Sequence, residues 1–351
     1  MQPLYSSSSA GNGKVVLCLA AAAAYVLCLL FQEGVAAERE LMVGFYSQTC
    51  PNAESVVASV VKEASKIDPR VPAMLLRLHF HDCFVQGCDG SILITKNDIN
   101  GQLSDKERSA FGHQGVGGDE EIQRAKTVLE DECPGVVSCA DIVALAARDA
   151  VVLAGGLFYE VETGRMDGKV SNQSVADEIL PDVDDNINVL KSRFMNKGLD
   201  EKDLVVLSGA HSIGTTACFF ISKRLYDFSS KSDSDPSINP NFLGTLMKEC
   251  PKGGDLNVRI PMDVQSDETF DNHIFINIKN GFAVLSSDAR LYDDEVTRAV
   301  VDSYVQTNDT AATAPLTFDV EFGLAMVKLG RLDVKLGADG EIRKVCNSFN
   351  S

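Results

Sequence analysis

The chain has 351 residues, a net charge of −18 and a hydrophobic content of 45%. This hydrophobic content supports a folded core and excludes an intrinsically disordered chain, and the length allows one large domain or two. The acidic surplus argues against nucleic acid and against an anionic membrane surface as binding partners.

The first segment has the layout of a secretory signal peptide. Lys14 precedes an apolar run over residues 15–31, and Val35, Ala36 and Ala37 follow as a small-residue cleavage pattern. We assign residues 1–37 to a signal peptide and expect a secreted chain that has no membrane segment after cleavage. An uncleaved anchor helix is the alternative, because the apolar run approaches the roughly 20 residues that span a bilayer.

Beyond the signal, apolar residues recur mostly at helical spacing. Asp68-Pro69 predicts the start of a helix over residues 69–84, and a capping box from Ser138 to Asp141 predicts another, which Gly155-Gly156 ends. Further helices are predicted over residues 120–131, 186–197, 203–208, 211–225, 241–249, 271–280, 293–306 and 318–329, with a connector over 162–185. The pattern predicts a mainly α fold with a midpoint near Gly155.

The stretch RLHFHDCFVQGCDGS, residues 77–91, carries several reactive side chains. On a helix Arg77 and His81 share one face, whereas His79 points away, which counts against a zinc hydrolase site on His79 and His81. Cys83 and Cys88 suit a small disulfide loop better than a Cys-x-x-Cys dithiol. The remaining interpretation is that His81 is a base beside the fixed positive charge of Arg77. The alternative is that His81 is a buried, hydrogen-bonded histidine with a structural role.

Two segments offer hard oxygen ligands, which suit Ca²⁺ better than zinc. The first set comprises Asp82, Asp89 and Ser91 with the carbonyl groups of Val85 and Gly87. The second comprises Ser212, beside His211 in LSGAHSIG, and Asp263, Ser266, Thr269 and Asp271 in MDVQSDETFDN. Taken separately, each set is also compatible with an ordinary polar loop.

Removing the signal leaves eight cysteines, at positions 50, 83, 88, 133, 139, 218, 250 and 346. An even count in a secreted chain predicts four disulfides. Eight cysteines allow 105 connectivities, so their spacing does not select one.

Five motifs together resemble the class III peroxidases, the secreted haem peroxidases of plants. They are FYSQTCP, RLHFHDCFVQGCDGS, VSCADIVALAARD, LSGAHSIG and FDN, in the family's order between residues 41 and 347. The resemblance implies a mainly α plant haem peroxidase fold: one domain over residues 38–351, with helical halves of roughly 38–155 and 156–351 around a haem b. It also implies an enzyme that reduces hydrogen peroxide and oxidises small phenolic donors in one-electron steps.

The resemblance also implies roles for individual residues. His211 would ligate the haem iron, and Asp288 would accept a hydrogen bond from its other ring nitrogen. His81 would take a proton from peroxide and return it to the departing oxygen, while Arg77 stabilises the developing charge. Three further positions match the family's pocket: Phe80 and Phe220 on the two haem faces, and Pro181 at the edge where donors enter.

Calcium and disulfide assignments follow from the same resemblance. It implies two Ca²⁺ sites, one with Asp82, Val85, Gly87, Asp89, Ser91 and the nearby Glu107, the other with Ser212, Asp263, Ser266, Thr269 and Asp271. It pairs Cys50 with Cys133, Cys83 with Cys88, Cys139 with Cys346 and Cys218 with Cys250. Asp141 and Arg165 match the family's buried ion pair, in which neither charge is left alone.

The chain departs from the family pattern at the residue that supports the distal histidine. The family usually has an asparagine there, but KERSAFGHQGVGG has His113. A neutral His113 can accept the same hydrogen bond, whereas a protonated one would donate and oppose a positive His81. We predict a slower or more pH-sensitive peroxide reaction, with a haem-binding wall or defence protein of weak turnover as the alternative.

The last sequence features concern the reducing donor and the location of the protein. The family's Leu-Pro-x-Pro is Leu180-Pro181-Asp182-Val183 here, which leaves the reducing donor open. The chain ends five residues after Cys346, without the extension of vacuolar members, so we expect delivery to the apoplast or cell wall. We also expect a monomer. Asn172 and Asn308 begin glycosylation sequons.

Overall fold

The computed structural model describes residues 40–95, 106–305 and 317–350. The predicted signal peptide over residues 1–37 and the sequon at Asn308 lie outside these residues. Within them, thirteen α-helices account for most of the regular structure. They are α1 (Ala53–Ile67), α2 (Val71–Gln86), α3 (Asp119–Glu132), α4 (Cys139–Leu153), α5 (Gln173–Ile179), α6 (Ile187–Asn196), α7 (Glu201–Ser208), α8 (Cys218–Leu225), α9 (Pro240–Glu249), α10 (His273–Asn280), α11 (Ser286–Arg290), α12 (Glu295–Val305) and α13 (Phe318–Leu329).

Strands are few and short in the part of the chain that the structure describes. β1 (Met42–Val43) pairs antiparallel with β2 (Glu162–Thr163), so that Met42 lies opposite Thr163. β3 (Thr215–Ala217) pairs antiparallel with β4 (Arg259–Pro261), so that Thr215 lies opposite Pro261. The predicted mainly α fold is confirmed.

α4 runs through the core against α2, and its N-terminus corrects one prediction. Ser138 caps the helix, since its side chain accepts the Asp141 N–H at 3.1 Å. The reciprocal bond of a capping box is not formed: the Ser138 N–H donates to the Tyr46 hydroxyl, and the Asp141 carboxylate accepts from Tyr46 and Arg165. The Asp141 to Arg165 distance is 2.8 Å with both side chains buried, which is the ion pair that the resemblance implied.

α2 begins two residues later than predicted. Asp68 accepts the Arg70 N–H at 2.9 Å, and the helix starts at Val71 with Pro72 in its first turn. Gly87 ends the helix with a φ of +95°, and a Cβ there would lie 2.4 Å from the Asp333 carbonyl oxygen. Glycine is therefore required where the helix turns into the acidic loop.

Two further predictions are wrong. Residues 211–225 are not one helix: a 3₁₀ turn over Gly209–Ser212 and strand β3 precede α8. Residues 162–185 are not only a connector, because they contain β2 and α5. The Asn172 side chain caps α5 by accepting the Ser174 N–H at 2.9 Å, a local signal that the sequence carried.

The eight cysteines that follow the predicted signal lie at disulfide distance in the four pairs that the resemblance implied: Cys50–Cys133, Cys83–Cys88, Cys139–Cys346 and Cys218–Cys250. The described residues from Leu41 onward form one compact unit. The division into two halves near Gly155 stays a prediction. Among the described helices, none combines the length and apolar content needed to cross a bilayer.

Candidate active site

Two histidines from distant parts of the chain face one cavity of about 360 Å³. His81 lies on α2 with Arg77 one turn earlier, and His211 follows α7. Phe80, Phe220 and Pro181 also line the cavity. Most other lining side chains are apolar, which suits a large, flat, mainly apolar cofactor.

His79 points away from this cavity, as its helical position predicted. Its ring nitrogens lie 3.6 and 3.8 Å from Cys83 Sγ, and burial lowers its pKa to about 3. His79, Cys83 and Cys88 form a buried cluster, but the two cysteines are at disulfide distance from each other. The arrangement therefore favours neither a zinc site on His79 and His81 nor a free dithiol.

Asp288 fixes the orientation and tautomer of His211. The His211 Nδ1 lies 2.9 and 3.0 Å from the two carboxylate oxygens of Asp288, whose side chain is buried. Burial lowers the pKa of His211, but the charge and the hydrogen bond of Asp288 outweigh it and raise the pKa. Because a carboxylate accepts the Nδ1 proton, Nε2 keeps the lone pair that a metal ion needs.

A buried charge cluster holds the short helix α11 that carries Asp288. Arg224 donates to Asp235 at 2.8 Å and to the Val284 carbonyl oxygen at 2.8 Å, just before α11 begins. Arg290, at the end of α11, donates to the same Asp235 carboxylate at 3.0 Å. No local sequence pattern predicts this cluster, because Asp235 meets the two arginines only in the folded chain.

Arg77 and His81, which line the same cavity as His211, have few competing partners. Arg77 donates to the carbonyl oxygens of Gly112 and Gln114 at 3.2 Å. Burial, followed by the charges of Arg259 and Arg108, lowers the pKa of Arg77 to about 10. His81 is buried, its Nδ1 has no hydrogen-bond partner, and burial together with the Arg77 charge lowers its pKa. His81 is therefore a neutral base beside a cation.

His113 is fully buried behind His81. The two ring centroids are 4.9 Å apart, and His113 Nδ1 lies 2.9 Å from the Glu107 carbonyl oxygen. A carbonyl oxygen only accepts, so Nδ1 carries the proton and Nε2 has a lone pair. Burial lowers the pKa of His113 to about 4. The Nε2 of His113 and the Nδ1 of His81 are both buried without a partner.

The first oxygen-rich set lies around buried carboxylates beside His81. Asp82, Asp89 and Glu107 are all buried, and burial raises the pKa of each. Glu107 accepts from the Ser91 hydroxyl at 2.8 Å, while one oxygen each of Asp82 and Glu107 has no partner. The implied ligand Gly87 ends α2 nearby, and the Val85 carbonyl accepts from Lys197 at 2.9 Å.

The second oxygen-rich set lies behind His211, where the segments meet through the Met262 N–H and the Gly214 carbonyl. Ser212 Oγ and Asp263 Oδ2 are buried without partners. Ser266 donates to Asp271 at 3.2 Å and accepts, through its carbonyl, the Thr269 N–H at 2.9 Å. Sequence reasoning missed two neighbours of Asp263, His273 at 2.7 Å and Asn277 at 2.6 Å.

Comparisons with known proteins agree with this geometry. The profile of the family described as Peroxidase matches residues 57–307. Peroxidase 43 of Arabidopsis thaliana is 58% identical over 310 residues, which cover 88% of this chain and 92% of that protein. Peroxidase 13 of Arabidopsis thaliana is 54% identical over 89% of this chain and 93% of its own length. Peroxidase N1 of Nicotiana tabacum is 48% identical over 88% and 90% respectively. The chain therefore belongs to the peroxidase family, among the class III plant peroxidases, and is a haem-dependent enzyme that reduces hydrogen peroxide and oxidises donor substrates.

Proposed function

We propose that a b-type haem lies between His81 and His211 and that His211 Nε2 is the iron ligand. The observation that carries this proposal is the pair of hydrogen bonds from His211 Nδ1 to Asp288, which leaves Nε2 as the available donor atom. The aromatic and aliphatic walls fit the group, since Phe80 and Phe220 line the same cavity. When bound, haem supplies the iron centre that exchanges electrons with peroxide and donor.

Two residues of this chain would carry the proton and the charge of the peroxide step. His81, neutral because burial and Arg77 lower its pKa, takes a proton from hydrogen peroxide and returns it to the departing oxygen as water forms. Arg77 keeps its charge, because a pKa of about 10 lies well above neutral pH, and stabilises the negative charge that develops.

His113 would hold His81 in the tautomer that this step needs. Its Nδ1 proton goes to the Glu107 carbonyl, so its Nε2 is available to accept the Nδ1 proton of His81. In that role His113 replaces the amide oxygen of the family's usual asparagine. The enzyme is favoured over the alternative of a haem-binding protein with weak turnover, since the relatives are peroxidases at up to 58% identity.

Small phenols are the proposed donors, entering beside Pro181. Pro181, Phe111 and Asp182 line the cavity, and Phe111 is about half exposed at 48%. An exposed aromatic ring beside an apolar cleft suits a flat aromatic donor. We also propose that the enzyme is a secreted monomer, with residues 38–351 as one domain and no membrane association.

Two calcium ions would neutralise the two oxygen-rich sets. Buried carboxylates with raised pKa values and unpartnered oxygens need a cation, and clustered oxygen ligands suit Ca²⁺. Because Asp82 follows His81 directly and Ser212 follows His211 directly, each ion would hold a segment that carries a haem-facing histidine.

Haem titration tests the iron ligand. The wild-type apoprotein should bind one haem per chain and give a Soret band typical of histidine ligation. His211→Gly should lose this ligation, and added imidazole should restore the spectrum, since imidazole can occupy the space of the missing ring. An unchanged spectrum in His211→Gly would overturn the assignment of His211.

A further inference from the structure

The lining of the cavity carries more arginines than carboxylates, although the chain as a whole is strongly acidic. Three arginines, Arg70, Arg77 and Arg259, line the cavity together with one carboxylate, Asp182. Asp182 is engaged with its own turn, where its side chain accepts the Asp184 N–H at 2.8 Å. The chain has a net charge of −18, so a local surplus of positive charge at this cavity differs from the charge of the chain as a whole and would attract an anionic group.

Arg259 connects the side of the cavity that carries His211 with the side that carries Arg77. It begins β4 and donates through Nε to the Thr215 hydroxyl at 2.8 Å and through one terminal nitrogen to the Thr215 carbonyl at 2.6 Å. The other terminal nitrogen, Nη1, faces Gly115. A Cβ on Gly115 would lie 3.6 Å from Arg259 Nη1 and 4.0 Å from Arg77 Nη1.

Arg259 lacks a carboxylate partner of the kind that Arg70 and Arg108 have. Arg70 pairs with Asp68 at 2.7 Å, and Arg108 pairs with Asp119. Among the described residues Arg259 forms no ion pair, and burial together with the Arg70 charge lowers its pKa. Arg77 also has only carbonyl oxygens as partners. Arg259 Nη1 and Arg77 Nη1 thus both lie close to Gly115, and neither guanidinium group has a carboxylate partner, which indicates that an anion binds beside Gly115.

We propose that Arg259 binds a carboxylate group at the edge of the cavity, beside Gly115 and next to Arg70. The inference rests on the proposed function, because that function supplies two sources of carboxylate. One is a propionate of the haem, and the other is the acid group of a carboxylated phenolic donor. Guanidinium groups bind carboxylates through charge-assisted hydrogen bonds, and Arg259 Nη1 is held ready by the two bonds to Thr215.

The first arm of the test measures haem binding without turnover. Apoprotein is titrated with haem and with haem dimethyl ester, which lacks both carboxylates. Wild type should prefer haem, and Arg259→Gln should lower this preference about tenfold, since one charge-assisted hydrogen bond is lost. The preference is a ratio within each variant, so it is insensitive to a general loss of haem affinity.

The second arm measures donors with the haem-loaded enzyme. If the carboxylate belongs to the donor, Arg259→Gln should raise the ratio of KM for 4-hydroxycinnamate to KM for 2-methoxyphenol about tenfold, with the ester preference unchanged. Either result supports carboxylate binding and identifies its source. If neither ratio changes while the Soret band is intact, the inference is overturned and the proposed haem function stands.

Two variants control for folding and for net charge. Arg259→Lys keeps the charge and should retain most of the affected ratio, even if the bonds to Thr215 weaken. Arg298→Gln removes an exposed arginine that also donates to backbone carbonyls, at 2.8 Å from Nε to Tyr292, but lies outside the cavity lining. An equal change in Arg298→Gln would attribute the effect to net charge and contradict the proposal.

Discussion

His113 is buried between the Glu107 carbonyl and the ring of His81, and this environment determines how it replaces the family's asparagine. At neutral pH a residue with a pKa of about 4 is uncharged, so His113 offers a lone pair rather than a second proton. The predicted slow reaction is therefore not expected at neutral pH. The predicted pH sensitivity is expected in acid.

Substitution of His113 separates these effects. His113→Leu removes the acceptor and should slow the reaction with peroxide by roughly tenfold to a hundredfold at pH 7, the range seen when metal-ligating histidines lose the hydrogen-bond partner that orients them. His113→Asn keeps an acceptor and should react like the wild type at pH 7. Stopped-flow mixing with peroxide, followed in the Soret band, gives both rate constants.

The rate of the peroxide reaction should change with pH in one direction. Burial lowers the pKa of His113 in the folded protein, so the acceptor is present above about pH 4 and is lost as the pH falls through that value. The wild-type rate should then decrease near pH 4 through a step that His113→Asn lacks. Identical acid profiles for these two proteins, or an unaffected rate in His113→Leu, would contradict the proposed role.

The helix α11 shows how an element of five residues can hold a functional carboxylate. Alone it is too short to be stable. Arg224 binds the backbone just before it, and Arg290 at its end binds Asp235, so the helix that carries Asp288 is fixed at both ends. The stability of this element is therefore expected to depend on one buried aspartate.

Replacing Asp235 tests this dependence. Asp235→Asn leaves the buried Arg224 without a carboxylate partner and Arg290 with Asp293 alone, and it should reduce the free energy of unfolding by about 3 kcal/mol or more. Asp227→Asn, which removes an exposed partner of Lys252, should leave the free energy of unfolding nearly unchanged. Urea unfolding measures both. If the two substitutions lowered the free energy of unfolding equally, the ion pairs of Asp235 would not be a major contribution to stability.

Elements with complete local signals could be predicted from the sequence, and elements fixed by distant contacts could not. The predicted helix over residues 318–329 coincides with α13, since its apolar spacing is uninterrupted. The predicted helix over 211–225 fails because β3 pairs with Arg259–Pro261, far along the chain. Only one hydrogen bond of the predicted capping box forms, from the Asp141 N–H to the Ser138 side chain, because the Asp141 carboxylate accepts from Arg165 instead of from the Ser138 N–H.

In the candidate site too, features with a local or family signal could be predicted from the sequence, and features that depend on distant contacts could not. The divergence of His79 from His81 followed from helical geometry, and the pairing of His211 with Asp288 followed from the family's motifs. Arg259 and Asp235 carry no motif, so only the folded chain reveals their neighbours. The disulfide partners came from the resemblance, because spacing alone leaves 105 pairings.

Calcium should link the stability of the whole molecule to the two sides of the cavity. Chelation with EGTA should release two ions per chain and lower the thermal midpoint by several degrees, since ligands that bind only the folded state stabilise it. Added Ca²⁺ should restore the midpoint. Mg²⁺ should not, because it requires a smaller octahedral site. A midpoint and metal content that do not respond to EGTA would contradict the proposed calcium sites.

The assignment of His81 as the base that cleaves peroxide is tested most directly by comparing two histidines of the same helix. His81→Leu should slow the stopped-flow reaction of the haem-loaded enzyme with hydrogen peroxide by about a thousandfold, the usual range for a lost acid/base group. His79→Leu, which alters a buried ring outside the cavity, should react within a few-fold of the wild type. A wild-type rate in His81→Leu, or an equal loss in both variants, would contradict the account.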